Sequence, residues 1–180
     1  IKQGLEDLNF MGVEFSIAFT RLERYTPNGF DEVEFMISTN PGEPIRPLAM
    51  VASGGELSRI MLAIKTVLAD SDDIPTLIFD EIDTGISGRT AQKVSEKLRY
   101  IAGRHQVLCI THLPQIAAMA DVHFEIAKET KDGRTITAIR RLSEEEMVME
   151  LARLLGGVQI TDAVIENARE MKRLAKGKKG

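Results

Sequence analysis

The sequence predicts an α/β fold, in which parallel strands are flanked by helices and additional antiparallel strands are present. Two short apolar runs, at 77–79 and 107–110, are separated by a helical pattern, and such runs are typical of parallel strands covered on both faces. Residues 13–19 and 33–37 instead alternate at period two around turn residues 26–29, which predicts an antiparallel pair. A length of 180 residues suits one domain with a real core.

Local patterns predict the loop and helices that follow the first pair of strands. Three prolines within residues 40–49 indicate a loop. Two amphipathic helices are then predicted, around residues 57–68 and 91–101. Their inward residues are expected to be Leu57, Ile60, Met61, Ile64 and Leu68 in the first helix, and Ala91, Val94, Leu98 and Ile101 in the second.

The last third of the chain predicts a hairpin and two helices. Asp132-Gly133 is a plausible turn between strands at 122–127 and 135–139. Ser143 and Glu146 have capping-box spacing, and their helix is expected to end at Gly156-Gly157. A final helix spans residues 161–175. Its inward residues are expected to be Val164, Ile165, Ala168, Met171 and Leu174.

Composition and charge exclude several classes of protein. The single cysteine excludes an internal disulfide, and no apolar run approaches the roughly 20 residues of a membrane span. The chain begins at Ile1 in mid-pattern, so we expect a piece of a longer protein. Its net charge is −8 over residues 1–90 and +4 over residues 91–180. The basic excess at the end either contacts nucleic acid or complements a helix end and a frayed terminus. It comprises Lys172, Arg173, Lys176, Lys178 and Lys179.

Polar residues follow both apolar strands. Asp80-Glu81 comes after the first strand and Thr111-His112 after the second. Ligands of open α/β sheets bind beyond the carboxyl ends of the strands. Because side chains alternate along a strand, Asp80 and Glu81 are expected to point in different directions, one toward a metal and the other toward a nucleophile. The alternative is that the two carboxylates only open a turn.

The helix start at Ser53-Gly54-Gly55-Glu56 is a second candidate site. Ser53 and Glu56 have capping-box spacing, and the two glycines leave backbone N–H groups open to close approach. A helix N-terminus of this kind can accept an anion. Taken alone, the string is better explained as a well-capped helix with nothing bound.

Three motifs taken in order are more specific than any one of them. They are SGGELSR at 53–59, LIFDE at 77–81 and ITH at 110–112. Their order and spacing resemble the signature, Walker B and switch-histidine motifs of ABC-type ATPases. Within that superfamily, DEIDTGIS at 80–87 and THLPQ at 111–115 look closest to the RecN family, bacterial DNA-repair relatives of the SMC proteins. The strong part of the resemblance covers residues 50–121, and LARLLGG at 151–157 is similar to the end of that family.

The resemblance implies a fold and a domain order. The chain would be the C-terminal lobe of an ABC/SMC-type ATPase head, whose two lobes are separated in sequence by a long coiled coil. Residues 1–10 would be the end of that coiled coil, residues 11–176 the C-terminal half of the head, and residues 177–180 a disordered tail.

The resemblance also implies roles for the residues after the two strands. Asp80 resembles the Walker B aspartate, which holds Mg²⁺ through water. Glu81 resembles the catalytic glutamate, which orients or deprotonates the attacking water. His112 resembles the switch histidine, which senses the γ-phosphate of ATP.

Two loops would complete the ATP site across a dimer. Residues Ser53, Gly54, Gly55 and Glu56 resemble the signature segment, which binds the γ-phosphate of ATP held by the opposite subunit. Asp83 to Ser87 resemble the D-loop that crosses the dimer interface. Many ABC proteins have an aspartate where this chain has Ser87, and Asp83 is expected to fill part of that role.

The phosphate-gripping motif G-x-x-x-x-G-K-[ST], called Walker A, does not occur in the sequence. We therefore expect this chain alone to hydrolyse no ATP and to need an N-terminal Walker A lobe as its partner. The resemblance implies that two complete heads dimerise through ATP and that hydrolysis releases them. It also implies DNA as a partner in double-strand break repair and recombination, no membrane, and a cytoplasmic, nucleoid-associated location.

Two alternatives stay open at this point. The chain could belong to the nucleotide-binding subunit of an ABC transporter, although Ile82 stands where transporter ATPases usually have proline. It could also be an inert interaction lobe.

Four other residues have weaker interpretations. Arg59 either meets phosphate or DNA, or is a solvated or interface arginine. His105 and His123 are expected to be ordinary surface or strand histidines, and no zinc site is predicted because no second ligand lies at metal spacing. Cys109 lies inside an apolar strand and is expected to be inert.

Overall fold

A computed structural model describes residues 1–51, 53–71, 73–131, 134–157 and 159–177. The chain divides into two compact units, Ile1–Ile110 and Thr111–Gly180. Helices, one parallel strand pair and antiparallel strands are all present, which confirms the α/β class. Over the described ranges, none of the helices combines the length and apolar character needed to cross a membrane.

The first unit contains a three-stranded antiparallel sheet and a separate parallel pair of strands. In chain order its elements are α1 (Lys2–Asp7), β1 (Glu14–Thr26), β2 (Gly29–Ser38), β3 (Arg46–Pro47), a 3₁₀ turn (Leu48–Met50), α2 (Gly54–Leu68), β4 (Thr76–Phe79), α3 (Gly88–Ala102) and β5 (Gln106–Cys109). The predicted hairpin is confirmed, since β1 and β2 pair antiparallel. The proline-rich segment is not entirely loop, because β3 pairs with β2. As β3 is an edge strand of the sheet, it tolerates a proline.

The parallel pair is what positions the candidate site. β4 and β5 run in register, with Phe79 opposite Cys109. The backbone N–H of Ile110 then donates to the carbonyl of Phe79, 3.0 Å away. The carboxyl ends of both strands therefore lie at one edge of this sheet.

The predicted face of α2 is confirmed in part, whereas α3 buries all four of its predicted residues. Ile60 and Ile64 are buried as predicted, but Leu57 and Leu68 are exposed. The buried face also includes Arg59, Leu62 and Ala63. This face is buried because α2 packs against α1 and α3. The Leu57 side borders an open groove along β4.

Three apolar sheet faces are exposed, and we call them the open sheet faces. On the parallel pair, Ile78 is 69% exposed and its neighbour Leu108 is also exposed. The expectation that both faces of this pair are covered is therefore wrong for this chain. The full set is Ile17, Phe19, Val33 and Phe35 on β1–β2, Ile78 and Leu108 on β4–β5, and Phe124, Ile126 and Ile139 on the hairpin of the second unit.

Over its described residues, the second unit contains one hairpin and three helices. Its elements are α4 (Pro114–Met119), β6 (Phe124–Lys131), β7 (Arg134–Arg141), α5 (Glu144–Gly156) and α6 (Asp162–Gly177). The predicted Asp132-Gly133 turn lies outside the described residues, but the two strands that flank it pair antiparallel as expected. The core consists of Ala118, Leu151, Ala152 and Ala168, whereas Leu174, predicted to face inward, is exposed.

The predicted capping box of α5 is confirmed. The backbone N–H of Glu146 donates to Ser143 Oγ over 3.3 Å, and Glu146 Oε2 accepts from the backbone N–H of Ser143 over 2.8 Å. The Ser143 N–H, followed by the side chain of Arg140, lowers the pKa of Glu146 to about 2. This helix start therefore stays ionised and capped through the whole physiological pH range.

The described basic residues near the C-terminus have partners within the second unit. Lys172 Nζ donates to the carbonyl of Ala120 over 2.5 Å. Arg173 pairs with Glu170, and Lys176 pairs with Glu144. These contacts favour the interpretation of a complemented helix end. Lys178 and Lys179, together with residue 180 of the expected tail, lie outside the described residues, while Gly177 ends α6.

His105 and His123 are each only 8% exposed, so neither is a surface histidine. His105 Nδ1 lies 2.7 Å from the carbonyl of Ile74, and His123 Nε2 lies 2.8 Å from the carbonyl of Ala117. Each imidazole therefore satisfies a backbone carbonyl that burial removes from water.

Acid is expected to destabilise this chain partly through His123. Burial, and then the nearby Lys172 charge, lower the pKa of His123 below its ordinary value. The unfolded chain therefore binds a proton at higher pH than the folded chain does. The stability from the neutral imidazole is complete above about pH 6.5 and is lost as the pH falls toward the folded pKa. Melting temperatures measured between pH 7.5 and 5 should fall less steeply for His123→Gln than for the wild type. Parallel curves would contradict this.

Candidate functional site

The loop after β4 carries the two predicted carboxylates. Asp80 and Glu81 are both exposed, and the backbone N–H of Glu81 donates to Asp80 Oδ1 over 2.9 Å. Glu81 has φ of 56°, in the left-handed region that non-glycine residues rarely adopt. Its side-chain direction is therefore set by a turn, and the strand alternation expected for Asp80 and Glu81 does not apply. Such backbone strain persists only where surrounding contacts fix it.

The start of α2 lies directly against this loop. Ser53 caps the helix, its Oγ accepting from the backbone N–H of Glu56 over 3.4 Å. A Cβ on Gly54 would overlap Glu81 Oε2. A Cβ on Gly55 would lie 2.9 Å from the Glu81 carbonyl and 3.0 Å from Thr84 Cβ. The structure thus brings together two of the predicted motifs. A side chain at Gly55 would meet the loop backbone, and one at Gly54 would displace the Glu81 carboxylate.

These residues fit the groups that the predicted site would bind. Exposed carboxylate oxygens suit Mg²⁺, which keeps several of its own waters and takes one or two protein carboxylates. The glycines leave the first turn of a 15-residue helix open to close approach. Within the part of the chain that the structure describes, no group of three or more metal-ligating side chains is present. A cage made only of protein ligands is therefore not found among those residues.

Arg59 is the residue whose role sequence reasoning missed. It is 8% exposed, which rules out the solvated arginine considered above. Its Nη1 donates to the carbonyl of Thr84 over 2.8 Å and to that of Ile82 over 3.3 Å. Burial lowers the pKa of Arg59, and the charge of Glu56 opposes that shift. One signal of this role was available in the sequence, since Gly55, Arg59 and Ala63 follow one another at intervals of four on a face of small residues.

The predicted D-loop segment forms the turn after Glu81. The backbone N–H of Thr84 donates to the Glu81 carbonyl over 3.0 Å. Asp83 is only 4% exposed, whereas Ser87 is exposed at the start of α3. Within this segment, the surface available to another molecule therefore comes from the residues after Asp83.

Cys109, opposite Phe79 in the parallel pair, has an unreactive thiol. Burial, followed by the charges of Asp83 and Asp80, raises the pKa of its thiol to about 12. The reactive thiolate is therefore negligible near neutral pH. The expectation that Cys109 is inert agrees with this.

The switch-motif residues begin the second unit. His112 is exposed, and Thr111 Oγ1 accepts from the backbone N–H of Leu113 over 3.1 Å. Leu113 in turn precedes α4, which starts at Pro114, a residue suited to the first helical position. The loop at 111–113 therefore has a defined local structure within its own unit.

Several curated proteins resemble this chain in sequence. A protein described as DNA repair protein RecN from Bacillus subtilis is 55% identical over 146 residues, which cover 81% of this chain and 25% of that protein. The protein of the same description from Vibrio cholerae is 48% identical over 172 residues, which cover 95% of this chain and 31% of that protein. The protein of this description from Halalkalibacterium halodurans is 54% identical over 151 residues, which cover 84% of this chain and 27% of that protein. The chain thus spans about a quarter to a third of the length of these relatives. No family model matches the chain.

Solved structures show the same fold at lower identity. The Smc head domain with a coiled coil and joint from Pyrococcus yayanosii is 22% identical, with a TM-score of 0.57 over 83% of this chain and 27% of that one. A Smc head domain with an extended coiled coil from Pyrococcus furiosus, bound to the C-terminal domain of ScpA, is 21% identical. Its TM-score is 0.54 over 85% of this chain and 36% of that one. The predicted SMC-type head fold is therefore confirmed.

Proposed function

The chain belongs to the RecN family of DNA repair proteins over the quarter to third of their length that it spans, and from this premise we propose that it is the C-terminal portion of an ATPase head. The complete protein would act in DNA double-strand break repair and recombination. The observation that carries the proposal is the contact between Gly54, in one motif, and the Glu81 carboxylate, in another. Two motifs with phosphate-related chemistry meet at the end of a parallel strand, where α/β sheets bind ligands.

In this proposal the carboxylates after β4 have separate tasks. Asp80 would hold Mg²⁺ through water, and the ion would supply positive charge against the phosphate oxygens of ATP. Glu81 orients the attacking water or accepts its proton. His112 would sense the γ-phosphate of ATP. Phosphoryl transfer to water needs positioning and charge stabilisation more than covalent chemistry, which suits a site made of these groups.

The start of α2 would serve a second copy of the head. Its Ser53, Gly54 and Gly55 offer backbone N–H groups at a helix N-terminus, where negative charge is favoured. In the proposed dimer this loop meets the γ-phosphate of ATP held by the opposite head, with Glu56 in the same turn. The exposed residues around Asp83, including Ser87, would contact that head as its D-loop.

The Walker A lobe would cover surfaces that this chain leaves exposed. The open sheet faces and the groove beside Leu57 are apolar surfaces of the kind that mark protein interfaces. Since the chain spans a minor part of its relatives, the remaining segments of the same protein are the natural occupants. We place the complete protein in the cytoplasm at the nucleoid, with residues 1–10 leading from its coiled coil and DNA as its partner.

The first test is complementation of the two lobes. ATP turnover and dimerisation would be measured for this chain alone, for the Walker A lobe alone and for their mixture. We expect activity only in the mixture, and its loss in Glu81→Gln. Turnover by this chain alone would contradict the half-head assignment. A folded, inert and monomeric mixture would favour an interaction lobe instead. A DNA pull-down with the intact protein would separate the repair function from a transporter subunit.

A further inference from the structure

We propose that Arg59 is a positioning residue that holds the Glu81–Thr84 loop, and with it the Glu81 carboxylate, against the first turn of α2. This inference rests on the proposed ATPase function, because it concerns the same Glu81. It assigns Arg59 no contact with substrate. Arg59 acts through the backbone of the loop that carries the reacting carboxylate.

The burial of Arg59 requires a compensating contact. A charged group taken out of water is costly unless it is paired or hydrogen-bonded. Arg59 finds partners in the carbonyl oxygens of Ile82 and Thr84, at 3.3 and 2.8 Å. Hydrogen bonds from an ionised donor are roughly twice as strong as neutral ones. The guanidinium therefore ties α2 to two points of the loop on either side of Asp83.

The loop has a backbone conformation that needs such support. Glu81 stands at φ of 56°, a left-handed conformation that is strained for a residue with a side chain. Two contacts oppose its relaxation. One is the hydrogen bond from the Thr84 N–H to the Glu81 carbonyl. The other is the packing of that same carbonyl against Gly55. Arg59 fixes the far end of this turn, so its loss frees Glu81 to leave the left-handed region.

Lysine at position 59 cannot reproduce the contacts that arginine makes with the loop. The guanidinium is planar and holds several donors in fixed directions, whereas an ammonium is a compact point charge on a flexible stem. Arg59 also lies over the ring of Phe10, with its Cζ 5.7 Å from the ring centroid. A lysine would keep the charge and lose both the guanidinium contact with the Phe10 ring and the fixed pair of carbonyl contacts.

The test uses the complete protein and its steady-state ATP turnover. For Arg59→Lys and Arg59→Met we expect kcat to fall by about 10- to 100-fold, because small misplacements of a reacting group are that costly. KM for ATP should change little. The matched control is Arg104→Met, which removes an arginine whose ion pair with Asp70 is exposed. It should leave both constants unchanged. Full activity in both Arg59 variants would overturn the inference.

A double-mutant cycle separates positioning from general stability. If Arg59 acts through Glu81, Arg59→Lys should lower the rate in the wild type and cause no further loss in the Glu81→Gln background. Equal losses in both backgrounds would overturn the inference. Hydrogen exchange at the Thr84 amide gives a readout that needs no activity, and exchange should be faster in Arg59→Lys. A wild-type protein without ATP turnover would refute the proposed function, and unchanged exchange at Thr84 would refute the role of Arg59.

Discussion

Replacing Glu81 with glutamine in the complete protein is expected to lower ATP turnover about 10²- to 10⁴-fold, the usual loss for a general base. Glutamine keeps the size of the side chain but cannot accept a proton from water. Its position against Gly54 should be preserved, since the change adds no atoms near the helix. ATP binding should therefore persist, and ATP-bound dimers should accumulate.

The measurement is phosphate release together with the dimer fraction in the presence of ATP. Asp70→Asn is a suitable control, because Asp70 is an exposed carboxylate of the same unit that forms an ion pair with Arg104. It should turn over ATP at the wild-type rate. If Glu81→Gln retains wild-type turnover, Glu81 is not the group that activates water.

Replacing Gly55 with alanine is expected to lower the free energy of unfolding of this chain by about 1–3 kcal/mol, as overpacking does in a filled interior. The new methyl group would lie 2.9 Å from the Glu81 carbonyl and 3.2 Å from the Thr84 carbonyl. Both are backbone atoms, so the whole loop must shift to make room. In a helix without such neighbours, the same change from glycine to alanine stabilises by roughly 0.5–1 kcal/mol.

Two other glycines supply the controls for Gly55→Ala in denaturant unfolding. Gly4→Ala places a methyl group 3.7 Å from Ala63 Cβ, an ordinary contact, and should not destabilise. Gly54→Ala meets the flexible end of the Glu81 side chain, so it should cost less stability than Gly55→Ala while displacing the carboxylate. If Gly55→Ala is as stable as the wild type, the loop does not pack against α2 as described.

Local signals predicted the features of this fold that depend on neighbours in sequence. The pairing of β1 with β2 follows from alternation and a turn, and the α5 capping box follows from Ser143 and Glu146 alone. Helical periodicity predicted four of the buried residues of α3, because one face of that helix meets the core. These are short-range patterns whose outcome the rest of the chain did not override.

The remaining features depend on contacts between distant segments. Helical periodicity placed Leu57 inside with Ile60 and Ile64, but packing against α1 and α3 buries Ile60, Ile64 and the adjoining Arg59 side and leaves Leu57 exposed. No local pattern reports that the Ile82 and Thr84 carbonyls face Arg59. Within the candidate site, the functional roles that the motifs assign to Gly54 and Glu81 stay predictions. The left-handed turn at Glu81 and the position of its carboxylate beside Gly54 could be seen only in the tertiary structure.

The open sheet faces have a consequence for how the complete protein is synthesised. Exposed apolar strands are templates for unwanted pairing between chains, and aggregation during folding begins at such surfaces. In the proposed domain order, this segment leaves the ribosome after the Walker A lobe has been made. Since domains fold as units with the N-terminal one first, the nascent strands β1 and β4 emerge beside the surface that is to cover them. Translation order would then act as a safeguard against misassembly.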